Sequence, residues 1–437
     1  MLSYLKIQNF KSILDLKLDM SYAEGKAPNK YQQSEILPFL EVDKKNRFVP
    51  VLALYGANGA GKTTSLEAFM CLQTLLRGNR RLKSRKPFYP NKINAKYDAT
   101  SFEISVFVKD INYIYCIVYN KSEILRESFY RINQETQKKN LFEIIDGECN
   151  FEGIVTDTYD DSKLKEIFNV ECKDKNHQWL PFASCLEHNY SQLNLDVTNF
   201  CRYMVDDLID YNCKYKIQLP EAVEILANDD SEQSIQTAFS EITTELKRFD
   251  LDIDHITMSR QQQDFNDGFP SFSGKPSFVR SSDEGLFIFD TVSTYHKDVN
   301  NEEVQFDFED ESEGTKTLSG LLGVCLFALK NGKTVLVDEL ERSLHPILLK
   351  EIIGMFKDKK QNKTNAQLIF TAHNTDILDD KLMRVSEVAV IDKTKETGST
   401  ILRISETNAR NVSNFRKRYL KGNYKGLPKI HSLLDNK

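Results

Sequence analysis

The most constraining feature of this chain is an eight-residue run, Gly56-Ala57-Asn58-Gly59-Ala60-Gly61-Lys62-Thr63, which fits G-x-x-x-x-G-K-[ST]. An apolar run, Val51-Leu52-Ala53-Leu54-Tyr55, precedes it, and a helix-patterned stretch from Thr64 to Leu76 follows. That context matters more than the eight letters. A buried strand delivers a glycine-rich loop to a helix start, where free N–H groups and the positive end of the helix dipole suit a phosphate. In such a loop the lysine reaches the β- and γ-phosphates of a nucleotide and the threonine hydroxyl sits on Mg²⁺. Gly56, Asn58, Gly59, Gly61, Lys62, Thr63 and Thr64 are therefore the candidate nucleotide-binding residues, and the expected fold class is α/β.

A second half of the site is legible far downstream. Lys333-Thr334-Val335-Leu336-Val337-Asp338-Glu339 reads as an apolar strand ending in two acids. Strand carboxyl ends face the ligand crevice of a doubly wound sheet. Asp338 is thus placed to share Mg²⁺ with Thr63, and Glu339 to polarise an attacking water. One helix-length later Gln367-Leu368-Ile369-Phe370 leads into Thr371-Ala372-His373, which suits a γ-phosphate contact by His373. Upstream, Glu311-Ser312-Glu313-Gly314-Thr315-Lys316 opens a helix whose Leu318, Leu321, Leu322, Cys325 and Leu329 share one face. Ser312 or Thr315 there can serve as a plain N-cap. The same hydroxyl and N–H groups can instead face a phosphate held by a second copy of the chain.

These residues carry a resemblance. The chain resembles the ABC-type ATPase heads of structural-maintenance-of-chromosomes, RecF and OLD (overcoming lysogenization defect) proteins. Leu5-x-Ile7-x-Asn9-Phe10-Lys11-Ser12 is similar to their opening strand, and Ser312-Glu313-Gly314-Thr315-Lys316 stands where their signature belongs. Asp338 to Pro346 resembles their Walker B and D-loop, and Thr371-Ala372-His373-Asn374 their switch histidine. The likeness extends to the stand-alone bacterial "AAA-fifteen" ATPases, whose ending is approximated by Tyr419 to Pro428. At Ser386-Glu387 that pattern has Asp-Gln, a departure.

The resemblance implies a head assembled from both ends of the chain: residues 1–126, a mostly helical insertion over 127–297, and residues 298–437. It implies ATP and Mg²⁺ as cofactors and ATP hydrolysis as the activity. Lys62, Glu339 and His373 would be catalytic, Thr63 and Asp338 metal-binding, and Ser312 and Gly314 would act in trans within an ATP-dependent homodimer or higher oligomer. A Mg²⁺-sensing glutamine is also implied, with Gln134 and Gln137 as candidates. Similar ATPases control a separate effector, a nuclease or toxin, in bacterial anti-phage defence; the alternative is a RecF-like DNA clamp.

The bulk properties bound these readings. The 437 residues suffice for two or three units or one domain with a large insertion. A net charge of −6 gives no global pull toward nucleic acid or an anionic membrane. Local contact by the basic run Arg77, Arg80, Arg81, Lys83, Arg85 and Lys86 stays open beside a merely solvated helix end. Arg416, Lys417, Arg418, Lys421 and Lys425 form a second basic cluster, while Asp307, Glu309, Asp310 and Glu311 argue against DNA across the signature edge. The most apolar long stretch, Leu318 to Leu329, is too short to span a bilayer. Eight scattered cysteines without a C-x-x-C pair suggest reduced core residues such as Cys71, Cys116 and Cys325, and a cytoplasmic setting.

Between the halves, Val197 to Tyr211 and Ile235 to Phe249 are the most helix-like stretches. Trp179-Leu180-Pro181-Phe182 reads as insertion core, and no heptad pattern supports a coiled-coil arm. A P-loop kinase or GTPase would need neither the signature helix nor the histidine. Too little chain follows His373 for a Toprim nuclease, so an effector activity is expected on another polypeptide.

Overall fold

Two strand patterns in the sequence become two regions of one sheet. Val51–Tyr55, Thr334–Val337 and Gln367–Thr371 are buried at every position, as strands covered on both faces must be. Ile111–Tyr119 instead buries alternate residues, Tyr113, Tyr115, Ile117 and Tyr119, on one face. The computed structural model describes residues 1–22, 36–37, 39–76, 87–93, 97–132, 138–145, 148–150, 195–213, 216–229, 231–264, 278–281, 286–407 and 414–428. The basic run 77–86, Gln134, Gln137 and Trp179 to Phe182 lie outside the described residues. The chain divides into one unit of Met1–Lys214, Gly332–Leu340 and Ile353–Lys437, and a second of Tyr215–Asn331 and Glu341–Ile352.

The strands, in chain order, begin with β1 (Leu2–Phe10), β2 (Ile13–Asp19), β3 (Leu40–Glu41), β4 (Arg47–Phe48), β5 (Val51–Tyr55), β6 (Thr100–Val108) and β7 (Ile111–Tyr119). Next come β8 (Ile124–Ile132), β9 (Lys138–Ile145), β10 (Glu148–Asn150), β11 (Leu208–Asp210), β12 (His255–Asp264), β13 (Phe278–Ser281), β14 (Leu286–Lys297) and β15 (Glu303–Asp307). The last four are β16 (Thr334–Val337), β17 (Gln367–Thr371), β18 (Val388–Thr394) and β19 (Gly398–Arg403). The helices are α1 (Lys62–Leu76), α2 (Leu195–Arg202), α3 (Leu219–Leu226), α4 (Glu232–Arg248), α5 (Glu313–Asn331), α6 (Pro346–Lys357) and α7 (Phe415–Leu420).

In the first unit a 13-stranded sheet runs β10-β9-β8-β7-β6-β1-β2-β19-β18-β5-β17-β16-β11. Its β18-β5-β17-β16-β11 part is all parallel, and β10 through β2 form an antiparallel wing. Helix α1 packs against β1 and β2, burying Leu66, Phe69 and Leu72. At roughly 1.5–3 kcal/mol for each such side chain, this anchors the helix that opens at Lys62. Cys71 is core, and burial pushes its thiol up to about 12. Cys116 is only half-buried, because it sits on the other face of β7.

The second unit pairs helices with a small sheet. Helices α3, α4 and α5 pack together, and α4 packs against β12. A Cβ on Gly323 would lie 2.9 Å from the Ala222 Cβ, so a glycine facing an alanine lets α5 and α3 approach closely. Strand β14 pairs antiparallel with β12, β13 and β15. Burial pushes the Cys325 thiol in α5 up to about 12.

Three expectations change. The insertion expected over 127–297 as mostly helical contains strands as well as helices among its described residues. Strand β14, Leu-Phe-Ile-Phe-Asp-Thr-Val-Ser-Thr-Tyr-His-Lys, is aromatic and β-branched and suits a sheet. The boundary at 127 falls inside β8, and that at 298 falls between the paired β14 and β15. Finally, the helix-like stretch Val197 to Tyr211 is helix only to Arg202; a π turn follows, and Leu208–Asp210 is a strand because it pairs with β16. Tertiary pairing overrides local pattern there.

The departure at Ser386-Glu387 serves packing. Glu387 is fully buried and ion-paired with Lys357, itself 2% exposed. Arg403 donates two hydrogen bonds to the Ser386 carbonyl.

Candidate nucleotide site

The loop between β5 and α1 is shaped by what stands behind it. Gly56 has φ 151° and a Cβ there would lie 2.2 Å from the Ile391 carbonyl oxygen of β18. Gly61 has φ 113°, and its Cβ would meet Ser399 Oγ of β19 at 2.4 Å. Only glycine fits such an approach at such angles. The C-terminal tail adds a further buttress. The Tyr419 ring meets the Tyr55 ring edge-on at 5.7 Å, its hydroxyl donates to the Gly426 carbonyl, and a Cβ on Gly426 would lie 3.5 Å from Gly56 Cα.

Lys62 opens α1 with its ammonium folded back over the loop, donating to the carbonyls of Gly56 (2.9 Å) and Ala57 (3.2 Å). It is 6% exposed, whereas Asn58, Gly59 and Thr63 are exposed and Thr64 half-buried.

The structure brings Thr63 and Asp338 together across 275 positions of sequence. The Thr63 hydroxyl lies 2.9 and 3.0 Å from the two carboxylate oxygens of Asp338. Thr371, at the end of the adjacent β17, donates from its hydroxyl to Asp338 Oδ1 at 2.6 Å and accepts from the Glu339 N–H at 2.7 Å. On the other side Asn212, just past β11, accepts from the Asp338 N–H (2.6 Å) and donates to the Asp338 carbonyl (2.7 Å). Glu339 is exposed and has φ 49°, a left-handed backbone that costs a non-glycine residue roughly 1–2 kcal/mol. The register Val337↔Phe370 puts Asp338–Glu339 and Thr371–His373 at neighbouring strand ends. His373 is exposed, and the Tyr55 hydroxyl fixes the following turn through the Asn374 carbonyl at 2.8 Å. Hydroxyl and carboxylate oxygens at this spacing are the donor set a hard cation such as Mg²⁺ takes, so the residues fit that ion.

The signature stretch belongs to the second unit. Ser312 Oγ accepts from the Thr315 N–H at 3.0 Å, which caps α5. Glu311 is held by Thr294 and His296, both at 2.7 Å. A Cβ on Gly314 would lie 2.9 Å from the Ser343 carbonyl oxygen. Lys216 donates to Thr317 Oγ1 at 2.9 Å, and burial lowers its ammonium pKa. Ser312 and Glu313 remain exposed.

A family described as "AAA domain, putative AbiEii toxin, Type IV TA system" matches residues 51–379. The chain belongs to that family. Its P-loop, acid pair and histidine all fall within the matched residues. No curated protein matches it. Among solved structures it is similar to an SMC head bound to the C-winged helix domain of ScpA, at 11% identity and TM-score 0.43, over 94% of this chain and 99% of that one. It is also similar to the SMC head domain from Thermotoga maritima (11% identity, TM-score 0.38, 92% and 98% covered). A third is an Smc head with an extended coiled coil bound to the C-terminal domain of ScpA, derived from Pyrococcus furiosus (11% identity, TM-score 0.39, 97% and 98% covered). No helix among the described residues of the AAA domain's chain is long and apolar enough to cross a membrane.

Sequence reasoning missed two residues that the structure places on the acid pair. In the sequence Thr371 stands only as the first residue of the run that resembles the switch histidine, with no role of its own. Asn212 follows three residues of strand, too short a signal to mark a strand end.

Proposed function

We propose that this chain binds ATP with Mg²⁺, hydrolyses it slowly, and works as a switch controlling a separate effector. The observation that carries the reading is the meeting of the Thr63 hydroxyl, the Asp338 carboxylate and the Thr371 hydroxyl beside the P-loop. Lys62 holds the β- and γ-phosphates, and the N–H groups of the loop from Asn58 to Thr64 cradle them. Thr63 and Asp338 hold Mg²⁺, which when bound offsets charge on the phosphates. Glu339 orients and polarises the attacking water, and His373 contacts the γ-phosphate. Ser312, exposed at the start of α5, and Gly314 serve the nucleotide held by a second copy. The effector reading, a nuclease or toxin in anti-phage defence, rests on the family description and on the resemblance drawn from the motifs.

Steady-state ATP turnover of the wild type and Glu339→Gln tests the core of this. The substitution keeps the shape and removes the base, so turnover should fall about 100-fold or more while ATP binding persists. Equal turnover in both proteins would overturn the base assignment.

A further inference from the structure

We propose that Asn212 is a positioning residue for the Asp338–Glu339 pair, a deepening that rests on the ATPase reading above. Its side-chain amide is complementary to the backbone of Asp338: Oδ1 accepts the N–H and Nδ2 donates to the C=O. The second of these bonds pins one edge of the peptide joining Asp338 to Glu339. Thr371 Oγ1 pins the opposite edge by accepting the Glu339 N–H. That peptide plane sets the φ of 49° at Glu339, so the two side chains together hold the strained backbone that aims the proposed base.

Asn212 is itself firmly placed. Strand β11 pairs in parallel with β16, and the ladder continues with the Tyr211 N–H donating to the Leu336 carbonyl at 3.0 Å. Gln73 of α1 donates to the carbonyls of Met204 (2.6 Å) and Leu208 (2.8 Å), tying the strand that leads to Asn212 to the helix that begins at Lys62. The Cys213 N–H turns back onto Asp210 Oδ1 at 2.6 Å, closing the strand. Asn212 and Asp338 each lie two residues before a point where the chain leaves the first unit, after Lys214 and after Leu340. Chemistry selects asparagine here. Aspartate would set an acceptor against the Asp338 carbonyl, glutamine would add a methylene, and alanine would leave both backbone groups to other partners.

The test uses the full chain and two variants, Asn212→Ala and the isosteric Asn212→Asp, each checked by its melting curve. The first readout is amide hydrogen exchange over residues 336–342 without nucleotide or metal. The second is the division of the ATPase effect between kcat and KM. Exchange there should quicken about 10-fold or more, and kcat should fall by a similar factor with KM for ATP within about threefold. If Asn212→Ala does not fold, Asn212→Asp carries the test. Unchanged exchange, or faster exchange with unchanged kcat, overturns the proposal. A wild type with no turnover sinks the ATPase reading, and the exchange result then decides the clasp alone.

Discussion

The acid pair of the first unit and the signature of the second illustrate two ways to hold a polar motif. Around Asp338 the partners come from three distant places in the chain: Thr63, Thr371 at the end of the paired strand β17, and Asn212. Around Ser312 the hydroxyl turns inward onto its own helix, to Thr315, and the residue stays exposed. One motif is nearly complete within the chain, and the other is finished locally but offers its outer face to solvent. A motif completed by long-range contacts resists change as a unit. A motif completed by its own cap can lose a function and keep its fold, so mutations should separate the two sharply.

The largest effects should fall at the first site. Gly56→Ala sets a methyl group against the Ile391 carbonyl and should cost on the order of 3 kcal/mol or more of stability, read from denaturant unfolding. Unchanged stability would mean that the loop is not pressed against β18. Lys62→Ala removes the ammonium while leaving the glycine framework in place. ATP affinity should weaken about 100-fold or more by titration, with unfolding nearly unchanged.

At the second site the expected pattern reverses. Ser312→Arg should abolish ATP-dependent association, measured by light scattering or sedimentation, with nucleotide affinity within about threefold of wild type. A wild type that stays monomeric under ATP would sink the action in trans. The smallest effect belongs to Ser312→Ala, which loses a cap worth about 0.5–2 kcal/mol and should lower the melting temperature slightly. A much larger loss would show that Ser312 is built into its unit as tightly as Asp338 is into the other.

The two motifs were not equally legible. Gly56 to Thr63 announces a strand, a loop and a helix within a few residues, and all three form where expected, with α1 beginning at Lys62. The antiparallel pair Thr100–Val108 and Ile111–Tyr119 closes around a two-residue turn, Lys109-Asp110, a short-range contact of neighbouring segments. Strand Leu208–Asp210 was not legible, because its three residues have no pattern of their own and exist as a strand only beside β16. Glu387 looked like a broken motif and is a buried partner of Lys357, which no local spacing foretells.

The sequence by itself determined the class of ligand chemistry. Glycines that permit a tight turn, a lysine at a helix start, and acids after an apolar run are local features whose conformational and electrostatic consequences need no distant partner. Only the tertiary structure decided how the acids are held. The left-handed backbone at Glu339, the bond from Thr371 and the clasp from Asn212 depend on adjacent parallel strands ending side by side. Strand order is set by burial and long-range pairing across hundreds of residues, and no window of sequence contains it.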